Sequence, residues 1–156
     1  MKSKIITREG YQKLIAEHNR LWKEERPEIT KMVAWAASLG DRSDNADYQT
    51  NKQALRKIDK RIRFLEVTLR DIKVVDYDPQ QEGKVFFGAW VTLEDENGKE
   101  LSIRIVGPEE IYERKDYVSI DSPIARACIG KSIDQEIVVK APYSTDIWVI
   151  TSIHYI

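Results

Sequence analysis

The sequence is poor in the residues that build metal centres and nucleophilic active sites. Its 156 residues include one cysteine, Cys128, and two histidines, His18 and His154. A single cysteine excludes an internal disulfide, and its neighbours Ala127 and Ile129 favour a buried, inert thiol over a nucleophile. No Cys/His cluster has the spacing of zinc ligands, and there is no glycine-rich phosphate loop or nucleophile elbow. These absences argue against an enzyme of those classes.

Long hydrophobic runs are also missing. The N-terminal MKSKIITREG lacks the apolar core of a signal peptide, and no stretch approaches the ~20 apolar residues of a membrane span. We therefore expect a cytoplasmic protein with no membrane partner.

Charge is balanced overall but unevenly placed. Residues 1–75 hold 17 Lys/Arg and 11 Asp/Glu, a net +6, whereas residues 76–156 hold 8 and 15, a net −7. This division predicts two modules, of which the first has a basic surface suited to nucleic acid or to an acidic partner.

Apolar spacing predicts an antiparallel helical hairpin over residues 1–75. The second arm alternates apolar steps of three and four, which is a coiled-coil seam of Leu55, Ile58, Ile62, Leu65, Leu69 and Ile72. The first arm begins after Thr7, a suitable N-cap, and has a weaker seam of Tyr11, Leu14, His18, Leu21, Ile29, Met32, Ala36 and Leu39.

Pro27 interrupts the first arm. It removes a backbone donor and crowds the carbonyl of Lys23, so we expect a kink or a helix restart there. We expect Trp22 and Trp35, on the same arm, to be packing residues rather than platforms on which bases stack.

After a linker at residues 76–82, residues 83–156 have the pattern of a compact α+β domain. Asn97-Gly98 predicts a two-residue hairpin turn, and Ser122-Pro123 suits the start of a short helix that ends near Gly130. Strands are predicted at residues 101–106, 117–121, 137–140 and 147–155. The predicted fold is therefore α+β: a coiled-coil hairpin followed by a mainly antiparallel sheet with a short helix.

The hairpin tip, residues 38–47, is rich in carboxylates. Asp41, Asp44 and Asp47 are each three residues apart. One interpretation is a solvated turn in which an Asp or Ser, such as Asp44, caps the second helix. A calcium loop is rejected because Ala46 replaces its required Gly and Lys52 its bidentate Glu.

A third interpretation is half of a magnesium site. Mg²⁺ usually takes one or two protein carboxylates, with waters and substrate phosphates completing its shell. Asp41 and Asp44 could therefore complete the shell of an ion held by another macromolecule, where the reaction would be attack of water on a phosphodiester.

The segment NKQALRKIDKRIRF, residues 51–64, is strongly basic. Lys52, Arg56, Lys57 and Lys60 are candidate nucleic-acid contacts, and a solvated coiled-coil face explains them equally well. The neighbouring acidic tip favours nucleic acid, because a metal-assisted phosphodiester reaction needs both features.

Four stretches of the sequence together resemble one known family. They are LGDRSDNADYQ, EERPEIT, VDYDPQQEGKVFFGAWV and RKDYVSIDSPIARA. The chain resembles, over essentially its whole length, the bacterial transcript cleavage factors of the GreA/GreB type, with the GreB branch nearest.

The resemblance implies a C-terminal domain similar to the FK506-binding fold, without prolyl isomerase activity. It implies binding to RNA polymerase at the secondary channel, where the coiled coil presents Asp41 and Asp44 to the catalytic Mg²⁺. The polymerase then cleaves the 3′ end of a backtracked RNA. The resemblance also implies that the segment holding Asp121, Ser122 and Pro123 grips the channel rim.

One position departs from the family pattern. Asp44 stands where the family usually has Glu, so its carboxylate is drawn back by one carbon–carbon bond, roughly 1.5 Å. A misplacement near 1 Å can cost ~100-fold in rate, and we predict reduced but real stimulation of cleavage. Two alternatives remain: a channel-binding regulator without cleavage activity, and a coiled-coil RNA-binding or chaperone-like module that acts without polymerase.

Overall fold

The chain divides into two compact units in the computed structural model, which describes residues 2–40 and 44–156. The helical unit is Tyr11–Asp71, and the sheet unit combines Met1–Gly10 with Ile72–Ile156. The first ten residues, which the sequence-based boundary counts with the hairpin, join the sheet unit because strand β1 (Ile5–Ile6) pairs in parallel with β2 (Lys73–Val74).

Four helical segments lie between β1 and β2 in the described part of the chain. They are α1 (Arg8–Arg20), a π-helical turn (Leu21–Glu25), α2 (Arg26–Ala37) and α3 (Ala46–Asp71). α2 packs along α3 within the helical unit. No helix among residues 2–40 and 44–156 is long and apolar enough to cross a membrane.

The interruption expected at Pro27 is confirmed as a change of helix type. The Arg26 N–H donates to the carbonyl of Leu21, five residues earlier, which is the bond of a π turn. Pro27 then falls in the first turn of α2, where a missing N–H costs no helical bond.

The seam predicted for the second arm is confirmed, since Ile62 and Leu65 are buried. On the first arm beyond Pro27 the prediction is confirmed for Ala36, which is buried, and Ile29 is half-buried. It is wrong for Met32 and Leu39, which are exposed, and Val33 is the half-buried residue between Ile29 and Ala36.

The prediction that the first-arm tryptophans pack inward is also wrong. Trp22 and Trp35 are both more than half exposed. The seam is closed by smaller side chains on the first arm, and the buried residues of the helical unit include Leu14, Leu21, Ala36, Tyr48, Ile62 and Leu65.

The sheet unit contains a five-stranded sheet in the order β5-β4-β3-β7-β6. All its pairings are antiparallel except β4 with β5. The short helix α4 (Pro123–Cys128) contacts β5 and β6. The strands are β3 (Trp90–Asp95), β4 (Glu100–Val106), β5 (Tyr117–Ser119), β6 (Glu136–Lys140) and β7 (Thr145–His154).

Side chains from the strands and α4 form one contiguous core. It includes Val91, Leu93, Ile103, Ile105, Ala125, Cys128, Ile137 and Ile150. Burial raises the pKa of the Cys128 thiol to about 11, which agrees with an inert side chain. The α+β fold class predicted from the sequence is confirmed.

The β3–β4 hairpin is confirmed, although its loop is wider than a two-residue turn. The N–H of Asp95 still bonds to the carbonyl of Lys99, and Gly98 adopts a φ of +80°. The Asp95 carboxylate accepts from the N–H groups of Asn97 and Lys99, which stabilises this wider loop.

Candidate functional site

The end of the hairpin is organised by Asn45. Its side-chain oxygen accepts a hydrogen bond from the Tyr48 N–H at 3.1 Å, which makes it the N-cap of α3. Its amide nitrogen donates to the carbonyl of Ala36 at 2.5 Å, near the end of α2. The interpretation that Asp44 caps the helix is therefore wrong, and the amide of Asn45 can both accept from one arm and donate to the other, which an ionised carboxylate cannot do.

Because Asn45 caps α3, the Asp44 carboxylate is not used as the cap of this helix. Asp44 is exposed, and no residue in the described ranges donates a hydrogen bond to its carboxylate or pairs with it. Asp47, in the first turn of α3, is also exposed. Asp41, the other predicted tip acid, lies outside the described residues.

Magnesium ligation at the tip was predicted as a shared site. Within residues 2–40 and 44–156 no group of three or more His, Cys, Asp or Glu side chains could hold a metal ion. An exposed carboxylate such as Asp44 has the oxygen donors that Mg²⁺ prefers, and one or two carboxylates suffice when a partner supplies the remaining ligands.

Of the four predicted RNA contacts on α3, three share an exposed surface. Arg56, Lys57 and Lys60 are exposed, and Lys60 lies four residues after Arg56 and three after Lys57. Arg63 extends the same surface, and we call these four residues the basic face. Lys52 differs, because its ammonium group donates to the Tyr48 hydroxyl at 3.0 Å and lies over the Tyr48 ring.

The remaining cation of this stretch, Arg61, is used within the hairpin. It makes a two-pronged ion pair with Glu17 on α1, at 2.7 and 2.9 Å. The hydrogen bond from Arg61 lowers the pKa of the Glu17 carboxyl below its usual value. Arg61 therefore ties the two arms together, in contrast to the outward-facing basic face.

The predicted polymerase-binding residues form the junction between β5 and α4. Ser122 is the N-cap of α4, since its hydroxyl accepts from the Ala125 N–H and donates to the Ser119 carbonyl. Pro123, at the first helical position, is exposed.

Asp121 is held by the N-terminus of the chain. Its carboxylate accepts from the Ser3 hydroxyl at 2.5 Å and the Ser3 N–H at 2.7 Å. These bonds lower the pKa of Asp121. The three predicted residues therefore lie together, on a segment that Ser3 and the helix cap make rigid.

An apolar hollow adjoins this segment. It has a volume of about 470 Å³ and shares Ile120 with the β5–α4 junction. Phe86, Phe87 and Ile129 supply its other apolar walls, and Asp78, Gln80 and Gln81 form a polar edge. A concave apolar surface with a polar rim is suited to receiving a protruding side chain of a partner.

The hydrogen bonds of Thr7, within the sheet unit, were only partly predicted from the sequence. Thr7 is the predicted N-cap, and its hydroxyl accepts from the Gly10 N–H at 3.1 Å, which confirms that role. The carboxylate of Glu110 accepts from the Thr7 hydroxyl, the Thr7 N–H and the Gly107 N–H. A Cβ at residue 10 would overlap this carboxylate, so any residue other than glycine would force the Glu110 side chain to move. The TREG pattern indicates the cap, but nothing local indicates Glu110.

Two family models together match almost the whole chain. Residues 4–74 match the N-terminal domain described as "Transcription elongation factor, N-terminal", and residues 80–155 match "Transcription elongation factor, GreA/GreB, C-term".

Two relatives, both transcription elongation factors, agree with these matches. The chain is 62% identical to transcription elongation factor GreB of Vibrio parahaemolyticus, over 99% of this chain and 96% of that protein. It is 56% identical to GreB of Pseudomonas putida, over 99% and 96% of the two chains. A solved structure of the transcription factor Gfh1 is 25% identical over 99% of both chains, with a TM-score of 0.46.

Proposed function

This chain belongs to the GreA/GreB family of transcription elongation factors, and we propose that it binds bacterial RNA polymerase in the secondary channel and stimulates cleavage of backtracked transcripts. The protein acts as an accessory factor in the cytoplasm, as a monomer when free. The catalytic centre belongs to the polymerase, and the substrate is the extruded 3′ end of the nascent RNA.

The observation that carries this proposal is the exposed carboxylate of Asp44. A structural carboxylate at a helix start would accept bonds from the first backbone N–H groups, and at this tip Asn45 does so instead. Asp44 is thereby left available to an outside partner at the end of a slender helical hairpin. Asp41, whose structure is not described, is proposed as the second acid on the basis of its place in the family pattern.

Asp44 and Asp41 would hold Mg²⁺ jointly with the polymerase. When bound there, the ion lowers the pKa of a coordinated water and so supplies a nucleophile for phosphodiester hydrolysis. The contribution of the chain is two carboxylate oxygens delivered at the end of a rigid support. Asn45 provides that rigidity by bonding both arms at the base of the turn.

The basic face, with Lys52 beside it, would follow the backbone of the extruded RNA. Arg56, Lys57 and Lys60 are exposed, so their charges remain available to phosphates. Lys52 would contribute charge from its fixed position against Tyr48. This surface would favour longer extruded RNA segments, which offer more phosphates to bind.

The β5–α4 junction would attach the sheet unit to the rim of the channel. Asp121 offers a carboxylate fixed by Ser3, Ser122 and Pro123 present the start of α4, and Ile120 opens onto the neighbouring apolar hollow. A charged group beside an apolar depression gives both orientation and buried area, as protein–protein interfaces require.

A rival function follows from the length of the Asp44 side chain. A carboxylate one methylene shorter than the usual Glu could leave the metal insufficiently ligated, and the protein would then occupy the channel without stimulating cleavage. The two functions differ in one measurable quantity, the cleavage rate at saturating factor.

The deciding experiment uses a stalled, backtracked elongation complex with a labelled transcript. We expect the wild-type protein to accelerate cleavage and Asp44→Glu to accelerate it further, by up to ~100-fold if the full geometric penalty applies. Asp41→Asn and Asp44→Asn should abolish acceleration while polymerase binding, measured separately, is unchanged. Asp47→Asn is the matched control, since this acid is also exposed and lies one turn away.

Binding without cleavage by the wild-type protein would establish the rival function. Loss of polymerase binding in Asp41→Asn or Asp44→Asn would show instead that the tip is a docking element.

A further inference from the structure

An apolar stripe without an internal partner runs along the outer side of α2. Met32, Trp35 and Leu39 are 42%, 56% and 56% exposed. Met32 and Trp35 lie three residues apart on one side of α2 and Leu39 follows two residues after its end, whereas Ala36 is completely buried. The stripe is therefore a surface feature of the tip end of the hairpin rather than part of its seam.

Trp35 is the member of this stripe most firmly tied to the tip. Its carbonyl accepts a hydrogen bond from the Ser38 hydroxyl at 2.5 Å. The next carbonyl, that of Ala36, accepts from Asn45, the residue directly after Asp44. The backbone that carries the indole is thus bonded to the same turn that carries the proposed catalytic acid.

The second exposed tryptophan of the first arm provides a contrast. The guanidinium of Arg26 lies 5.6 Å from the centre of the Trp22 ring and covers it. Within the described ranges no aromatic or cationic side chain makes an equivalent contact with Trp35. The indole of Trp35, near the tip, is therefore uncovered, whereas the indole of Trp22, further from the tip, is covered by Arg26.

Charge around Trp35 suits a polyanion. Between Thr30 and Gly40 the chain has a single charged residue, Lys31, and no carboxylate. Lys31 is exposed and lies four residues before Trp35, so the two side chains are neighbours on the helix surface. An open aromatic ring beside a cation is the combination by which proteins bind single-stranded nucleic acid, through base stacking and phosphate contact.

We propose that Trp35 stacks against an unpaired base of the extruded transcript, with Lys31 contacting a neighbouring phosphate. This inference rests on the proposed function, which places single-stranded RNA at the tip. Trp35 acts as a positioning residue: stacking holds the RNA so that the phosphodiester to be cleaved stays beside the acids. Because every base has a π surface, the contact is independent of sequence.

The test uses backtracked complexes with the full-length protein and two transcripts, one natural and one abasic throughout the extruded segment. Loss of one base–aromatic contact typically weakens binding by about tenfold. We therefore expect Trp35→Ala to reduce the single-turnover cleavage rate about tenfold on natural RNA. Trp35→Phe should retain most of the rate, and Trp22→Ala, the matched control, should equal wild type. On abasic RNA, wild type and Trp35→Ala should become equal.

An undiminished effect of Trp35→Ala on abasic RNA would overturn the proposal, because it would mean that Trp35 contacts protein. Equal losses in Trp22→Ala and Trp35→Ala would overturn it as well.

A fluorescence measurement separates failure of this inference from failure of the proposed function. 2-Aminopurine, placed in turn at each extruded position, is quenched when it stacks. The wild-type and Trp22→Ala proteins should quench it at one position and Trp35→Ala should not. Should the wild-type protein fail to accelerate cleavage, the proposed function falls, and the quenching still decides whether Trp35 stacks on RNA. Absence of quenching at every position would refute the stacking contact.

Discussion

The two units of this protein bury their apolar side chains in different ways. The sheet unit gathers strand and α4 side chains into one contiguous cluster, with Leu93, Ile105 and Ile150 completely buried. The helical unit has only a thin seam, in which single residues such as Leu65 and Ala36 are buried between largely exposed neighbours. A two-helix hairpin leaves most of its surface in water, so its polar and aromatic groups stay exposed, whereas the sheet unit provides most of the core.

Truncation of one core residue in each unit tests this contrast most directly. Leu93→Ala, in the central strand β3, should lower the free energy of unfolding by about 4 kcal/mol, and Leu65→Ala by about 2.5 kcal/mol, because the hairpin can relax around the smaller side chain. Native-state hydrogen exchange would measure each unit separately, since two units need not unfold as one. A larger loss for Leu65→Ala would mean that the seam, rather than the sheet core, dominates stability.

Loss of the Asn45 N-cap should have the next largest effect on the free energy of unfolding, and this effect should be confined to the helical unit. Asn45→Ala removes both the acceptor for the Tyr48 N–H and the donor to the Ala36 carbonyl, and should cost about 1 kcal/mol. Asn45→Asp is the matched control, because it keeps the acceptor and loses only the donor. Faster amide exchange near Tyr48 in the alanine variant than in the aspartate variant would support this division of roles, and identical exchange would contradict it.

The smallest effect on stability is expected from substitution of Asp121, in the sheet unit. The size of this effect depends on pH. The Ser3 hydroxyl and N–H lower the folded-state pKa of this carboxyl below its unfolded value, near 3.9. The ionised form therefore stabilises the fold above about pH 4, and this contribution is lost as the pH falls through the folded-state pKa.

Asp121→Asn should accordingly be less stable than wild type at neutral pH and converge with it in acid. Urea unfolding of both proteins across this pH range would measure the difference, with Asp116→Asn as a control on a partly exposed acid whose partner, Arg114, is local. A stability difference that stayed constant with pH would show that the Ser3 contact does not depend on the charge of Asp121.

Much of the molecule follows from local pattern in the sequence. Four predicted features depend on residues close together along the chain: the seam of α3, the N-caps Thr7 and Ser122, the restart at Pro27 and the positions of several strands. Helical and strand periods are properties of the backbone itself, so a sequence that matches them specifies the elements before any tertiary contact forms.

The local sequence pattern did not determine which polar groups form hydrogen bonds with each other. Asn45, Ser3 and Glu110 bond to atoms contributed by distant segments, and Val33 rather than Met32 is half-buried on α2. Hydrogen-bond partners and helix phase are decided by which segments meet in space. The sequence alone therefore determined that the tip is acidic and the arms are helical. Only the tertiary structure determined that Asn45 caps the turn, which leaves Asp44 exposed, and that the indole of Trp35 faces solvent.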